Sequence, residues 1–352
     1  MRKIFSLFFF IIATYPVFAQ IGGTNTYQFL TLQPNARIAA LGGSGIANPD
    51  NDMNLAIQNP SLLNSEMNNQ VTFNYVSYVA GIGAGYAGCA HHFDSIGTFA
   101  LGIQYINYGD FTKTASNGDV IGNFHAGEYN LHLSFARKYR DFSFGGALKF
   151  INSTLEEYNS FGLAADISAT YYNKKNLVTI SGVISNYGKQ LKTYRPDNNE
   201  TLPLNVQMGI SKKLMKAPLR FSLIANHLEN PGGLMYQNPD KPGLTKDLET
   251  GLIQLENINW AKKTLSHLNL SAEIILSKSF YIGFGYNYLR RWELKLDQYG
   301  GFSGFSWGFG VKISKFQLAY GHTGYSVGYG TDHFSFIINV NDFIKKKQAE
   351  KS

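Results

Sequence analysis

Three short runs in the sequence carry residue types that could do chemistry. Gly83-Ala84-Gly85-Tyr86-Ala87-Gly88 fits the G-x-G-x-x-G spacing with which a strand-to-helix turn cradles a pyrophosphate. That use needs a helix to start at the glycines. Here the chain continues as a strand, with Gly81, Gly83 and Gly85 on one face, so close approach of another backbone, such as an internal plug, accounts for them better. Asp50-Asn51-Asp52-Met53-Asn54 opens like a calcium loop, with oxygen ligands at alternate positions. Leu55 stands where that loop needs glycine and Ser61 where it needs a bidentate glutamate, which leaves a polar turn after Pro49. His91 and His92 are neighbours on a strand, so they face opposite sides and cannot share a metal. Asn152-Ser153-Thr154 is a formal glycosylation pattern read on a loop. No serine–histidine–acid set, carboxylate pair of clear role or phosphate loop stands out. The expectation is a non-enzyme with no catalytic, cofactor-binding or metal-binding residues. An isolated Glu273 on a small-residue face is expected to be hydrogen-bonded within the fold.

Composition narrows the class. Cys89 is the only cysteine, so no internal disulfide forms and cysteine-based metal sites are excluded by count. The formal charge is +7, of which Arg2 and Lys3 supply two, and no Lys/Arg cluster interleaves with aromatics as a nucleic-acid groove requires. Met1-Arg2-Lys3, the apolar run Ile4–Tyr15 and Val17-Phe18-Ala19 read as a signal peptide spanning residues 1–19, cleaved between Ala19 and Gln20. No later stretch reaches the roughly 18 apolar residues of a membrane helix.

From Gln70 onward the pattern has period two. Phe99, Leu101, Ile103 and Tyr105 alternate with Ala100, Gly102 and Gln104, and Phe334, Phe336 and Ile338 alternate with His333 and Ser335. One face is large and apolar. The other is Gly, Ala, Ser, Asn and Gln, which suits a crowded lumen better than a surface in bulk water. The units approach the roughly 9–11 residues with which tilted strands cross a bilayer. The expected fold is all-β, a transmembrane antiparallel β-barrel of about 14 strands over 70–343, with an N-terminal plug in its lumen. The strands are placed at 70–78, 81–93, 97–107, 124–138, 141–152, 157–173, 176–187, 203–213, 218–228, 266–277, 280–291, 301–312, 315–324 and 330–342. Links alternate between short and long, as between periplasmic turns and extracellular loops; this puts both termini on the periplasmic side. The longer links are expected at 108–123, 153–156, 188–202, 229–265, 292–300 and 325–329, of which 153–156 and 325–329 are only modestly longer, and the first link, around Val79-Ala80, is an exception to the alternation. The largest, 229–265, has helical character around Leu252, Leu255 and Trp260, and 344–352 forms a basic tail.

Residues 20–69 precede the barrel and hold Arg37–Leu63, a small, glycine-rich stretch with a polar centre, ending in Asn59-Pro60-Ser61. Gly42, Gly43, Asn59, Pro60 and Ser61 are its motif residues. The order of signal peptide, ALGGSGIA, NPSLL and about fourteen strands resembles the fatty-acid-transporter-like outer-membrane barrels. In them a small N-terminal hatch with an Asn-Pro-Ala-type motif fills the lumen. Residues 22–30 and 34–43 are similar to the PorV/PorQ family of the Bacteroidetes type IX secretion system. That resemblance covers nearly the whole mature chain and is most specific over 22–63. It implies a non-enzymatic outer-membrane component, without cofactor, of the attachment complex that joins secreted cargo to lipopolysaccharide. It also implies outer-membrane lipid as surroundings and a PorZ-like surface protein as partner, with PorU and PorV in the same complex. One departure is that Phe343 is followed by Ile344–Ser352, where many such barrels end on an aromatic residue.

On this reading the partner is bound by the long loops, chiefly through Leu252, Leu255, Ile258 and Trp260, an apolar stripe that a solvent loop does not need. The alternative is that the stripe covers the barrel mouth and the protein is an outer-membrane channel for hydrophobic small molecules. A membrane enzyme has no supporting constellation.

Overall fold

The computed structural model describes residues 25–343 except 197, 233, 235–258, 278, 296–300 and 327. Fourteen antiparallel strands close into one barrel. They are β1 Gln70–Ser77, β2 Gly83–Phe93, β3 Gly97–Thr114, β4 Val120–Tyr139, β5 Phe142–Leu155, β6 Tyr158–Asn173 and β7 Val178–Lys192, then β8 Asn205–Lys213, β9 Leu219–Ala225, β10 Leu268–Ser277, β11 Phe280–Asn287, β12 Phe305–Ile313, β13 Phe316–Ser326 and β14 Tyr329–Asn339. Every strand pairs with its neighbours in sequence, and β1 closes the ring on β14 with Gln70 opposite Asn339 and Ser77 opposite Asp332. Closure removes both sheet edges, so every strand has two hydrogen-bonding neighbours.

The alternation of the sequence becomes an inside and an outside. On β4, Asn130, His132 and Ser134 are buried, whereas Tyr129, Leu131 and Leu133 are exposed. On β1 and β14, Phe73 and Phe334 point outward and are 50% and 54% exposed, with Thr72 and His333 buried behind them. A water-soluble fold buries its large apolar side chains and exposes its polar ones. This barrel does the reverse, which is the arrangement of a transmembrane barrel.

Links at 94–96, 140–141, 174–177, 214–218, 278–279 and 314–315 fall at one end, and 78–82, 115–119, 156–157, 193–204, 226–267, 288–304 and 327–328 at the other. Several boundaries differ from the sequence expectation. The stretch 108–123 is mostly not loop, because β3 and β4 run on as a two-stranded ribbon to Thr114 and Val120. Neither face of that ribbon is covered, so its sequence lacks the alternation that marks a half-buried strand. The stacked rings of Phe111 and Phe124, 5.1 Å apart, and a pairing of Asp110 with His125 hold it together. Residues 153–156 are not a long link: β5 runs through Leu155 before a tight turn, and Asn152-Ser153-Thr154 lies in the strand. Similarly, β7 continues to Lys192 inside the expected loop at 188–202. β11 stops at Asn287, whose side chain accepts from Arg290 N and starts a helix, α3, over Tyr288–Leu294 (α1 and α2 are Ala36–Ala40 and Trp260–Ser266).

The glycine cluster at 81–88 also has another cause. Gly83 and Gly85 face outward against the rings of Tyr75 and Tyr105, not against the plug. The glycines that meet the interior segment lie elsewhere on the wall.

Candidate functional site: a hatch in the lumen and the chamber above it

Residues 25–69 run the length of the lumen. Asn25 bridges to Thr201 in the link between β7 and β8, and the Tyr27 and Ser160 hydroxyls lie 2.5 Å apart at the long-link end. At the other end the Asn68 side chain accepts from His92 N at 3.0 Å. The described chain therefore starts at the end opposite the short turns. The two termini, expected on the periplasmic side, lie outside the described residues.

Between these ends the segment is built from short capped turns. Asn35 caps α1 by accepting from Ile38 N at 2.8 Å. α1 ends in a Schellman motif: Gly43 N donates to Ile38 O and Gly42 N to Ala39 O, at 2.9 and 3.0 Å. Gly42 and Gly43 have φ of +84° and +100°, which favours glycine at both. Asn59 caps the 3-10 turn Pro60–Leu62, with Pro60 in the first position, where a missing N–H costs nothing. Its Nδ2 donates to Ile46 O at 2.7 Å and to Thr170 Oγ1 at 3.1 Å, and Ser61 N donates to Ser168 Oγ at 2.9 Å. Asn59-Pro60-Ser61 thus ties one turn both to the hatch and to β6.

The wall is glycine where the hatch backbone crosses it. A Cβ on Gly145 would overlap Ser61 N, one on Gly285 would overlap Gly42 N, and one on Gly321 would overlap the Ala36 carbonyl. Elsewhere large hatch side chains meet small wall residues, as where Met53, Leu63 and Met67 pack on Ala90, Ala100 and Ala136.

One charge cluster joins hatch to wall. Arg37 donates to Glu273 Oε1 from Nε at 3.0 Å and from Nη2 at 2.7 Å, and also pairs with Asp50. Arg220 on β9 holds Asp50 with two bonds, at 2.6 and 2.7 Å, and reaches Glu273 Oε2 at 3.0 Å. Asn48 Nδ2 donates to that same oxygen at 3.1 Å, and the Arg37 guanidinium lies 4.5 Å from the Tyr281 ring centroid. Burial pushes the Asp50 carboxyl up, but the guanidiniums of Arg220 and Arg37 outweigh it and hold the group well below the usual range. Asp52, 3.7 Å from Arg37 Nη1, goes the other way: burial raises it, and Arg37 offsets only part of that. Neither Arg37 nor Arg220 stood out in the sequence as a charged partner, and Asp50 was noticed only as the opening of a calcium-like run. The available signal was the position of Arg220 and Glu273 on the inward face of strands whose outward residues are apolar.

Between the hatch and the wall lies a chamber of about 300 Å³. Leu30, Leu32, Ile57, Tyr78 and Leu289 give it apolar patches, and Gln104, Asn130, Lys149, Gln207 and Arg290 polar ones. Trp260 opens α2 in the link between β9 and β10 and is 77% exposed. Leu252, Leu255 and Ile258, Ala19 and Gln20, and 344–352 lie outside the described residues. Among the described residues no three His, Cys, Asp or Glu side chains converge as a metal site.

The fold and the site define the class: a closed fourteen-stranded transmembrane barrel with an N-terminal hatch in its lumen. No family model matches the chain, and no curated protein matches it. Among solved structures it is similar to the CymD monoaromatic hydrocarbon channel at 12% identity and a TM-score of 0.46, over 89% of this chain and 97% of that one. The toluene transporter TodX of P. putida matches at 11% identity and a TM-score of 0.47, over 87% and 98%. A FadL homologue of Pseudomonas aeruginosa matches at 9% and 0.46, again over 87% and 98%. The class rests on the hydrogen-bonded ring itself and not on these likenesses.

Proposed function

We propose that the protein is an outer-membrane barrel that passes small molecules, with residues 25–69 as the hatch that sets passage. The observation that supports this best is the chamber between the wall and a hatch seated on it largely by polar contacts. Such contacts can exchange for water when the hatch shifts. The apolar patches at Leu30, Leu32, Ile57, Tyr78 and Leu289 fit a small cargo with a hydrophobic part. Planar-bilayer recordings of the intact protein and of a variant lacking 37–63 test the reading, with barrel folding checked by a heat-dependent gel shift. Higher conductance in the deletion variant is expected. Equal conductance from two folded barrels overturns it.

A second reading is surface anchoring within a type IX secretion complex, through a PorZ-like protein. It draws on the likeness of residues 22–63 and on the exposed Trp260 at the long-link end. Replacing 234–262 by a Gly-Ser linker should release a surface partner that co-purifies with the intact protein. A partner retained at full level, with the shortened barrel in place, rejects it.

A further inference from the structure

The chamber has two cationic walls, and among the described residues only one is neutralised. On one side Lys149 Nζ lies 2.7 Å from Asp166 Oδ2 and donates to Asn186 Oδ1 at 2.7 Å. On the other, Arg290 has no such partner among the described residues. Its Nη1 donates to the Ser306 hydroxyl at 3.3 Å, and its guanidinium lies 5.0 Å from the Tyr325 ring centroid. No carboxylate oxygen among the described residues comes within 4.0 Å of it. A guanidinium offers five N–H donors in a planar fork, and this one uses a single long bond to a neutral acceptor. Its Nη2 lies 3.2 Å from where a Cβ on Gly43 would be, so the charge rests against the hatch at the chamber wall.

A second observation converges on the same space. Ser44 also lines the chamber, at 3% exposure, and among the described residues its Oγ has no partner; nor have Gln33 Oε1 and Asn130 Oδ1 on the same lining, whereas the backbone carbonyls of Gln33 and Pro34 face the His333 ring. Buried polar atoms of this kind are nearly always satisfied, if not by protein then by ordered water or by a solute that takes its place. A cation without a counter-charge among the described residues and a free hydroxyl thus share the space with two amide oxygens, so a solute there could offer a charged acceptor to Arg290 and Ser44 and a donor of its own to Gln33 and Asn130.

We propose that Arg290 is the centre of an anion site in the chamber, taking the carboxylate or phosphate group of a small solute, with Ser44 as a further donor. At about 300 Å³ the space suits a solute no larger than roughly ten waters. The proposal deepens the passage reading by naming the charge of the cargo. It rests on that reading for movement of the solute, not for its binding.

The test is thermal unfolding of the full-length barrel in detergent. Sodium acetate and sodium phosphate are titrated separately, with sodium chloride holding ionic strength constant. One or both anions should raise the midpoint saturably by a few degrees, and the acetate and phosphate arms identify which group is preferred. Arg290→Gln should abolish the rise and Arg290→Lys should weaken it. Lys113→Gln, the same charge change on the exposed ribbon, should leave it intact. Should Arg290→Gln not give a folded barrel, Ser44→Ala and Arg290→Lys carry the comparison. Equal midpoints in all three salts, or an undiminished rise in folded Arg290→Gln, overturn the proposal. A barrel that binds the anion but never conducts would reject passage and leave the site standing.

Discussion

Glu273 is the residue on which the hatch contact turns. It is 1% exposed and accepts from Arg37, Arg220 and Asn48. Replacing it by Gln keeps the shape and leaves two guanidiniums facing Asp50 and Asp52 alone. Removing one partner of a buried ion pair costs about 3–5 kcal/mol. Glu273→Gln should therefore lower the thermal midpoint of the barrel and expose residues 36–50 to protease, whereas unchanged protease resistance would show that the cluster does not hold the hatch. The pH dependence follows from Asp50. Its folded value is depressed, so its contribution is complete above the ordinary carboxylate range and fades only as pH falls through that low value. Asp52, raised by burial, binds its proton more readily in the folded state and so favours folding as pH falls. Lowering the pH from 7 to about 5 should leave the hatch in place, as read by the same proteolysis. At this scale the sequence was partly legible. Period two showed that Glu273 faces inward, but the partners at 37, 50 and 220 are far apart in the chain and only closure of the ring brings them together.

The element scale was more legible, because strands and hatch leave opposite signatures. Alternation marked the fourteen strands, and the small, glycine-rich stretch ending in Asn59-Pro60-Ser61 marked the plug. Misplaced elements were those where neighbours, not local pattern, decide. The β3–β4 ribbon has no buried face to alternate against, and α3 begins where Asn287 caps a helix instead of extending β11. The wall glycines were visible but not their purpose. Gly285 faces the backbone of Leu41 and Gly42, which cannot rotate aside as a side chain could. Gly285→Ala should force α1 off the wall at about 1–3 kcal/mol or more. Hydrogen exchange at Ala39–Gly43 should then rise while exchange in β3–β6 stays slow. Unaltered protection at both places would mean that the wall yields instead. A matching substitution at Gly182, where a Cβ meets nothing within 4 Å, is the control.

At the scale of the whole molecule, the apolar exterior and polar interior were the most legible feature, since they depend only on the sum of many alternating pairs. What no pattern could reveal is the path of the first described residues. Asn25 is held at one rim by Thr201, Asn69 bonds to Ala90 at the other, and β1 is zipped to β14 around everything between. The polypeptide encircles its own beginning, like a ring cast around a cord. Such an object has an order of manufacture. The seam between β1 and β14 must form after the cord is laid, because a finished ring already filled by Leu41, Met53 and Leu63 has no room for a later pass. It has a rule of motion as well. The hatch cannot be drawn out toward the short turns unless the rim contact at Asn25 and Tyr27 first lets go and travels through the chamber. Opening without that release is confined to folding aside within the ring, and the bonds at Tyr27 are then the mooring against which every such movement pulls.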